Sequence, residues 1–260
     1  MAIITNTATA PTIDGLAVSI SNVLIGQTPT IVDPGTGEDA SFISDPDHSL
    51  NYTCGVSAAD FEVSYGPQTN ISYVAISGHT AATLTQATIE LYNDATLIDS
   101  VVLQRNNNVM FTFPQQTFQD LKVKFITVPN TYQTTVSYIA AGEHLTLTYG
   151  EQAGYTRNWL NRHLQQRTST NLEVGPVSGT QMRKSLRGAL SLPNEFATFV
   201  EGGWQGFLDF AYQQPFFIKE VTSKPESTYI CFDPMPDVKA HGETRTLDAV
   251  TLRFTVYNGL

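Results

Sequence analysis

FEVSYGPQTNISYVAIS, residues 61–77, alternates apolar and polar side chains. Phe61, Val63 and Tyr65 fall on one face of an extended chain, with Glu62 and Ser64 on the other. Gly66-Pro67 interrupts the run as a turn, and ISYVAIS restarts it. The same signature continues outward through ATIELYN and LIDSVVLQ, joined by a short polar loop at 93–96. VMFTF, LKVKFITV, TTVSYIA and HLTLTYG follow, each short and bounded by Pro, Asn or Gly. In LKVKFITV, Leu121, Val123 and Phe125 are expected inside and Lys122 and Lys124 outside. Eight such segments near ten-residue spacing, with no helical stripe among them, predict a β-sandwich or jelly roll over residues 51–149. Residues 1–50, rich in Thr, Pro, Gly and Asp, read as an extended arm with short strands.

The second half, 150–260, has a different grain. Phe196, Phe199, Val200, Gly203, Trp204, Phe207, Leu208, Ala211 and Tyr212 recur at steps of three and one, one face of a 3.6-residue helix. Pro193 suits a first turn and Pro215 lies just past the end, so the spacing predicts a helix over about 193–213. Gly203 on the apolar face is expected to let that helix approach a sheet closely. After Pro215, PFFIKEV, STYICF and DAVTLRFTVYNGL return to a period of two, and Phe216-Phe217 reads as a strand covered on both faces. Strands, one helix, then strands make an α+β unit with a single helix packed on a sheet.

Charge separates the halves. Residues 1–149 hold three basic residues, Arg105, Lys122 and Lys124, against thirteen acidic ones, and residues 150–260 hold eleven of each. Nucleic-acid binding by the first half is disfavoured by that balance. Arg157, Arg162, Arg167, Arg183, Lys184 and Arg187 cluster around a single acid, Glu173. This segment favours contact with the acidic surface of a neighbouring subunit, or a channel lining, over a nucleic-acid groove.

Catalytic signatures are missing from the sequence. It contains no Gly-x-Ser-x-Gly, His-Glu-x-x-His, phosphate-binding Gly-Lys-Ser/Thr or Cys-x-x-Cys, and its five histidines share no ligand spacing. The expectation is a non-enzyme without metal or cofactor. No apolar run reaches the length of a membrane-spanning helix. The opening MAIITNTATAPTIDG does not read as a secretory signal, so Cys54 and Cys231 are expected as free thiols of a cytosol-made protein. A sugar site would need exposed aromatic and polar groups that converge; His79, Tyr92 and Arg105, with Tyr65, are available.

Two resemblances add to this reading. Residues 61–94, FEVSYGPQTNISYVAISGHTAATLTQATIELYND, resemble the discoidin or galactose-binding-like sandwich, in which a strand ending in an Ile-Ser/Ala-Gly-His turn precedes a hydroxyl-rich loop and a Thr-rich strand. That resemblance implies a jelly-roll module with a possible glycan contact through His79, Tyr92 and Arg105. The order of Arg-rich strands, a helix centred on GGWQGFLDFAYQQ and the closing strands resembles the tail-tube-like domain of long, non-contractile-tailed bacteriophages. Together they imply a virion structural protein of the tail tip, a distal tail or baseplate ring protein synthesised in the host cytoplasm. Its implied partners are copies of itself in a sixfold ring and the tube, hub and fibre proteins. The alternative is a carbohydrate-binding module or adhesin reading a host-surface glycan through residues 51–149.

Overall fold

The computed structural model describes residues 16–33, 39–47, 50–55, 60–83, 86–127, 133–147, 164–170, 177–183, 185–196, 200–241 and 247–257. The chain is mainly β. It runs through β1 (Leu16–Ser19), β2 (Thr30–Val32), a 3-10 turn (Ala40–Ser44), β3 (Tyr52–Thr53), β4 (Phe61–Ser64), β5 (Gln68–Ser77) and β6 (Ala87–Asn93). There follow β7 (Thr96–Leu103), β8 (Val109–Phe118), β9 (Leu121–Thr127), β10 (Thr135–Val136), β11 (Tyr138–Gly142) and β12 (His144–Leu147). The remainder comprises β13 (Leu164–Thr170), β14 (Val177–Arg183), β15 (Ser185–Phe196), helix α1 (Gln205–Ala211), β16 (Phe216–Lys219), β17 (Thr228–His241) and β18 (Leu247–Tyr257).

Among the described residues the sheets stack in layers. A five-stranded sheet, β2-β4-β9-β6-β7, faces a three-stranded sheet, β11-β5-β8, and all pairings in both are antiparallel. The alternating segments predict this sandwich except that HLTLTYG, as β12, joins the six-stranded sheet and β2 of the arm takes a place here. Its core holds Phe61, Val63, Ile89, Leu91, Val123 and Phe125 from one sheet and Ile71, Val74, Ile76, Phe111 and Ile139 from the other. Phe61 and Phe125 lie directly opposite in the β4–β9 ladder, and their rings stack at 4.6 Å.

The back of the three-stranded sheet is also covered. Tyr73, Ala75, Met110, Tyr138 and Ala140 pack against Ala17, Phe217 and Ile230 of a six-stranded sheet, β12-β1-β16-β17-β18-β15. Tyr138 and Phe217 stack at 6.0 Å across this second interface. The far face of the six-stranded sheet, carrying Phe216, Ile218, Cys231, Leu252 and Phe254, is covered by Trp204, Phe207, Leu208 and Ala211 of the helical segment. Phe216 and Phe217 therefore point into different cores, as a strand covered on both faces requires. Lys219, also on β16, is buried, and its Nζ donates to Thr112 Oγ1 at 2.9 Å.

The arm contributes to both sheets. β1 pairs with β12 on one side and β16 on the other, whereas β2 pairs with β4. Beyond β1 the chain runs so close to β11 that a Cβ on Gly142 would lie 2.6 Å from the Ser21 carbonyl oxygen. The β4–β5 turn needs glycine for a different reason: Gly66 has a φ of +66° with open space around it.

The helix differs from expectation. Pro193 and Phe196 belong to β15, where the pairing with β18 shifts register between Leu192 and Glu195. Proline is accommodated in a strand at such an irregularity, where a ladder N–H is not required. Val200–Trp204 then forms a π-helical turn leading into α1. The wider turn changes the helical phase, leaving Gly202 and Gly203 exposed and Tyr212 59% exposed, whereas Trp204, Phe207, Leu208 and Ala211 stay buried. Gly203 is thus no point of close helix–sheet approach, and nothing lies within 4 Å of a Cβ on Gly202. Phe199 lies outside the described residues.

Candidate functional site

One end of the sandwich gathers the described residues 78–83 and 86 of the β5–β6 connection and the β7–β8 connection, residues 104–108. Side chains stitch these loops together. Ser77 Oγ donates to Asn108 Oδ1 at 3.0 Å, and the Asn106 Oδ1 accepts from the Ala82 N–H at 2.8 Å. Asn106 Nδ2 donates to Thr83 Oγ1 at 2.9 Å, and Gln104 Nε2 donates to Gln86 Oε1 at 3.2 Å. A third segment joins through Thr80, whose Oγ1 accepts from the Thr135 N–H at 2.8 Å. A loop held at this many points has already given up much of the freedom that ligand binding would otherwise remove.

His79 is part of this frame and not of its outer surface. It is buried, and one ring nitrogen, Nε2, donates to the Asn107 carbonyl at 2.7 Å. That bond fixes the neutral tautomer with a bare Nδ1, which has no hydrogen-bond partner among the described residues. Burial disfavours the imidazolium and lowers its pKa to about 4, against the smaller opposing effect of the Asn107 bond. The ring centroid lies 6.4 Å from that of Phe125 in the core. His79 therefore positions the Asn107 backbone from beneath.

Arg105 and Asn107 are exposed at the same end. Neither side chain forms an ion pair or hydrogen bond with another described residue. The structure thus brings His79 and Arg105 together and separates Tyr92 from them. Tyr92 sits on β6 five residues beyond Ala87, roughly 17 Å along the strand toward the other end of the sandwich. Its hydroxyl donates to Glu90 Oε2 at 2.6 Å, and that bond raises its pKa. Tyr65 is buried, with its hydroxyl accepting from Ser44 Oγ at 3.1 Å. The amides Gln86, Gln104, Asn106 and Asn107 were not singled out by sequence reasoning; the signal available was the run QRNNN at 104–108, four amide side chains around one arginine.

The basic cluster of the second half is only partly described. Arg157, Arg162 and Lys184 lie outside the described residues. The backbone places Arg167 opposite Thr180 and Arg183 opposite Leu164 in the β13–β14 hairpin, and Arg187 opposite Thr255 in the β15–β18 ladder. Among the described residues, β13 and β14 pair only with each other, and β15 pairs on one side only.

No group of three or more His, Cys, Asp or Glu side chains that could hold a metal ion occurs among the described residues. No helix among them is long and apolar enough to cross a membrane. Cys54 and Cys231 are buried free thiols.

The sequence matches no family profile and no curated protein. Solved structures give likenesses to carbohydrate-binding modules. A chitosan-binding module from a chitosanase/glucanase of Paenibacillus sp. IK-5 is 17% identical, with 47% of this chain and 99% of that one covered, at a TM-score of 0.36. A fucose-binding module of Streptococcus pneumoniae is 14% identical, with 47% and 94% covered, at 0.36. The lectin domain of lectinolysin, solved with Lewis B antigen, is 15% identical, with 46% and 95% covered, at 0.35. Each likeness spans less than half of this chain, and the ligands named are those of the other proteins.

Proposed function

We propose that this chain is a carbohydrate-binding protein that takes its ligand at the loop end of the first sandwich. The observation that carries the reading is the frame of cross-linked loops from which Arg105 and Asn107 project with no side-chain partner among the described residues. Sugars are recognised by planar amide and guanidinium groups that give and receive several hydrogen bonds in fixed directions. Loops held in advance by Asn106, Asn108 and the buried His79 reduce the ordering cost of such contacts. Residues 51–149 are the recognition part in this reading, and residues 150–260 the part that attaches it to something larger. A glycan array probed with the full chain tests the reading. Binding that is lost in Arg105→Ala/Asn107→Ala, with the melting temperature unchanged, supports it; a blank array, or binding indifferent to both substitutions, refutes it.

A second reading is favoured by the open edges of the second half. β15 offers twelve residues with no partner on its outer side, and β13–β14 pairs only with itself, among the described residues. Such edges are templates for further strand pairing, and a two-stranded hairpin is marginal alone. Closed rings of identical subunits satisfy both, so the chain also suits a virion structural protein, a ring at a bacteriophage tail tip joined to tube, hub or fibre proteins. The two readings are compatible, since a tail-tip ring can carry a glycan-binding module. Electron microscopy and light scattering decide the second: rings support it, and a strict monomer that ignores tail components refutes it.

A further inference from the structure

We infer that the sugar taken at the loop end is acidic, with its carboxylate seated on the Arg105 guanidinium. This rests on the carbohydrate-binding reading above and narrows it.

The argument begins with where the first half spends its cations. Residues 1–149 contain only Arg105, Lys122 and Lys124 against thirteen acids. The two lysines lie on the five-stranded sheet and are matched there. Lys122 Nζ is 3.2 Å from Asp120 and 3.8 Å from Asp94. Lys124 stands in register between Glu62 on β4 and Glu90 on β6. Among the described residues Arg105 has neither an ion pair nor an acid beside it in register, although acids outnumber bases by more than four to one in this half.

Its isolation is a matter of placement. Residues 78–86 and 104–108 include no Asp or Glu. Glu226 is next to Pro225, whose carbonyl accepts from the Met110 N–H at 2.9 Å, yet it forms no ion pair with Arg105, and the described acids Asp33 and Asp60 follow β2 and precede β4. β4 is separated from β7 by β9 and β6, three strand spacings or about 14 Å, beyond the Debye length of physiological salt. The Asp33 carboxylate is moreover occupied by the Tyr52 hydroxyl at 2.5 Å and the Gly55 N–H at 2.7 Å.

His79 adds no second charge, because it is buried and neutral at physiological pH. Within the described residues of the two loops the site therefore presents one cation among neutral amides. A guanidinium offers a planar pair of N–H donors that matches a carboxylate in two parallel bonds, and the surrounding amides suit the hydroxyls of the same sugar. One carboxylate per bound residue, as in a uronic or sialic acid, is the ligand with that charge and shape.

Matched acidic and neutral glycans test this with the full chain. The probes are an oligogalacturonate and its methyl ester, and a sialylated lactose with lactose, within a wider panel of neutral glycans. The expected result is at least tenfold tighter binding of an acid form than of its neutral match, measured by titration calorimetry. That preference should shrink on raising salt from 50 to 500 mM, vanish in Arg105→Gln, survive in part in Arg105→Lys and be untouched in Lys122→Gln. Equal affinity for acid and neutral forms, or binding of neutral glycans alone, overturns the inference while leaving the carbohydrate-binding reading intact. Binding of no glycan on the panel overturns both.

Discussion

Replacing Trp204 with alanine tests whether the aromatic segment after β15 is a core element. Trp204 is 1% exposed, and its ring lies 4.9 Å from Phe207. Phe207 meets Phe216 edge-on at 5.2 Å, and Phe216 meets Phe254 at 5.9 Å, so the indole ends a row of aromatics joining the helix to β16 and β18. Truncating a buried Trp or Phe costs about 3–5 kcal/mol. The indole Nε1 is buried without an acceptor among the described residues, however, and removing such a donor recovers part of a burial cost of about 1–3 kcal/mol. The net expectation is a loss of about 2–3 kcal/mol. At about 2–4 °C per kcal/mol for a chain of this length, the melting temperature should fall by roughly 5–10 °C. Trp204→Phe, which keeps most of the volume and removes the N–H, should change stability by about 1 kcal/mol or less. Circular dichroism is the suitable probe, since both variants lose one of only two tryptophans. An alanine variant that melts with the wild type, or one that loses glycan binding at unchanged stability, would refute the assignment.

Other substitutions probe the remaining interfaces. Folded His79 has a pKa lowered from 6.5 to about 4, so the unfolded chain takes up the proton first as pH falls. Stability should be fully present above pH 6.5 and decline toward pH 4, by about 3 kcal/mol from this residue. His144, whose pKa burial also lowers, acts in the same direction. Urea midpoints measured across that window should flatten in His79→Gln; an unchanged slope contradicts the buried neutral ring. Gly142→Ala should cost about 1–3 kcal/mol in thermal denaturation, because the new methyl meets the Ser21 carbonyl at 2.6 Å. Thr112→Val removes one partner of the buried Lys219 ammonium and should cost a similar ~1–3 kcal/mol.

The sandwich strands were legible because one-sided burial writes itself as alternation. Leu121, Val123 and Phe125 are fully buried, as their spacing predicts, and Lys122 and Lys124 are not. Double coverage was legible at Phe216-Phe217 for the complementary reason, that a strand between two cores has no polar face to show. The helix start was misread because Phe196 and Phe199 happen to continue the three-and-one spacing, and Pro193 is as compatible with a strand irregularity as with a first helical turn. The pairing of β1 with both β12 and β16 left no trace in the sequence, since LAVS fixes that a strand exists and not which edge receives it. At the site, Arg105 was recognisable as a rare cation. His79, named as a candidate glycan contact, is instead the local hydrogen-bonding residue that a turn histidine more often is, since its burial depends on what lies beneath it, here Phe125 and the Asn107 carbonyl. Tyr92 looked like a neighbour of His79 only in sequence.

The most direct measurement of the central claim is a nuclear magnetic resonance titration of the isotope-labelled full chain with a glycan that it binds. Amide shifts should move for residues 78–86 and 104–108, with the Arg105 and Asn107 side chains strongest, while β13–β14, β15 and the helix stay still. Shifts concentrated in the second half, or on the outer face of the five-stranded sheet around Tyr92, would contradict the account.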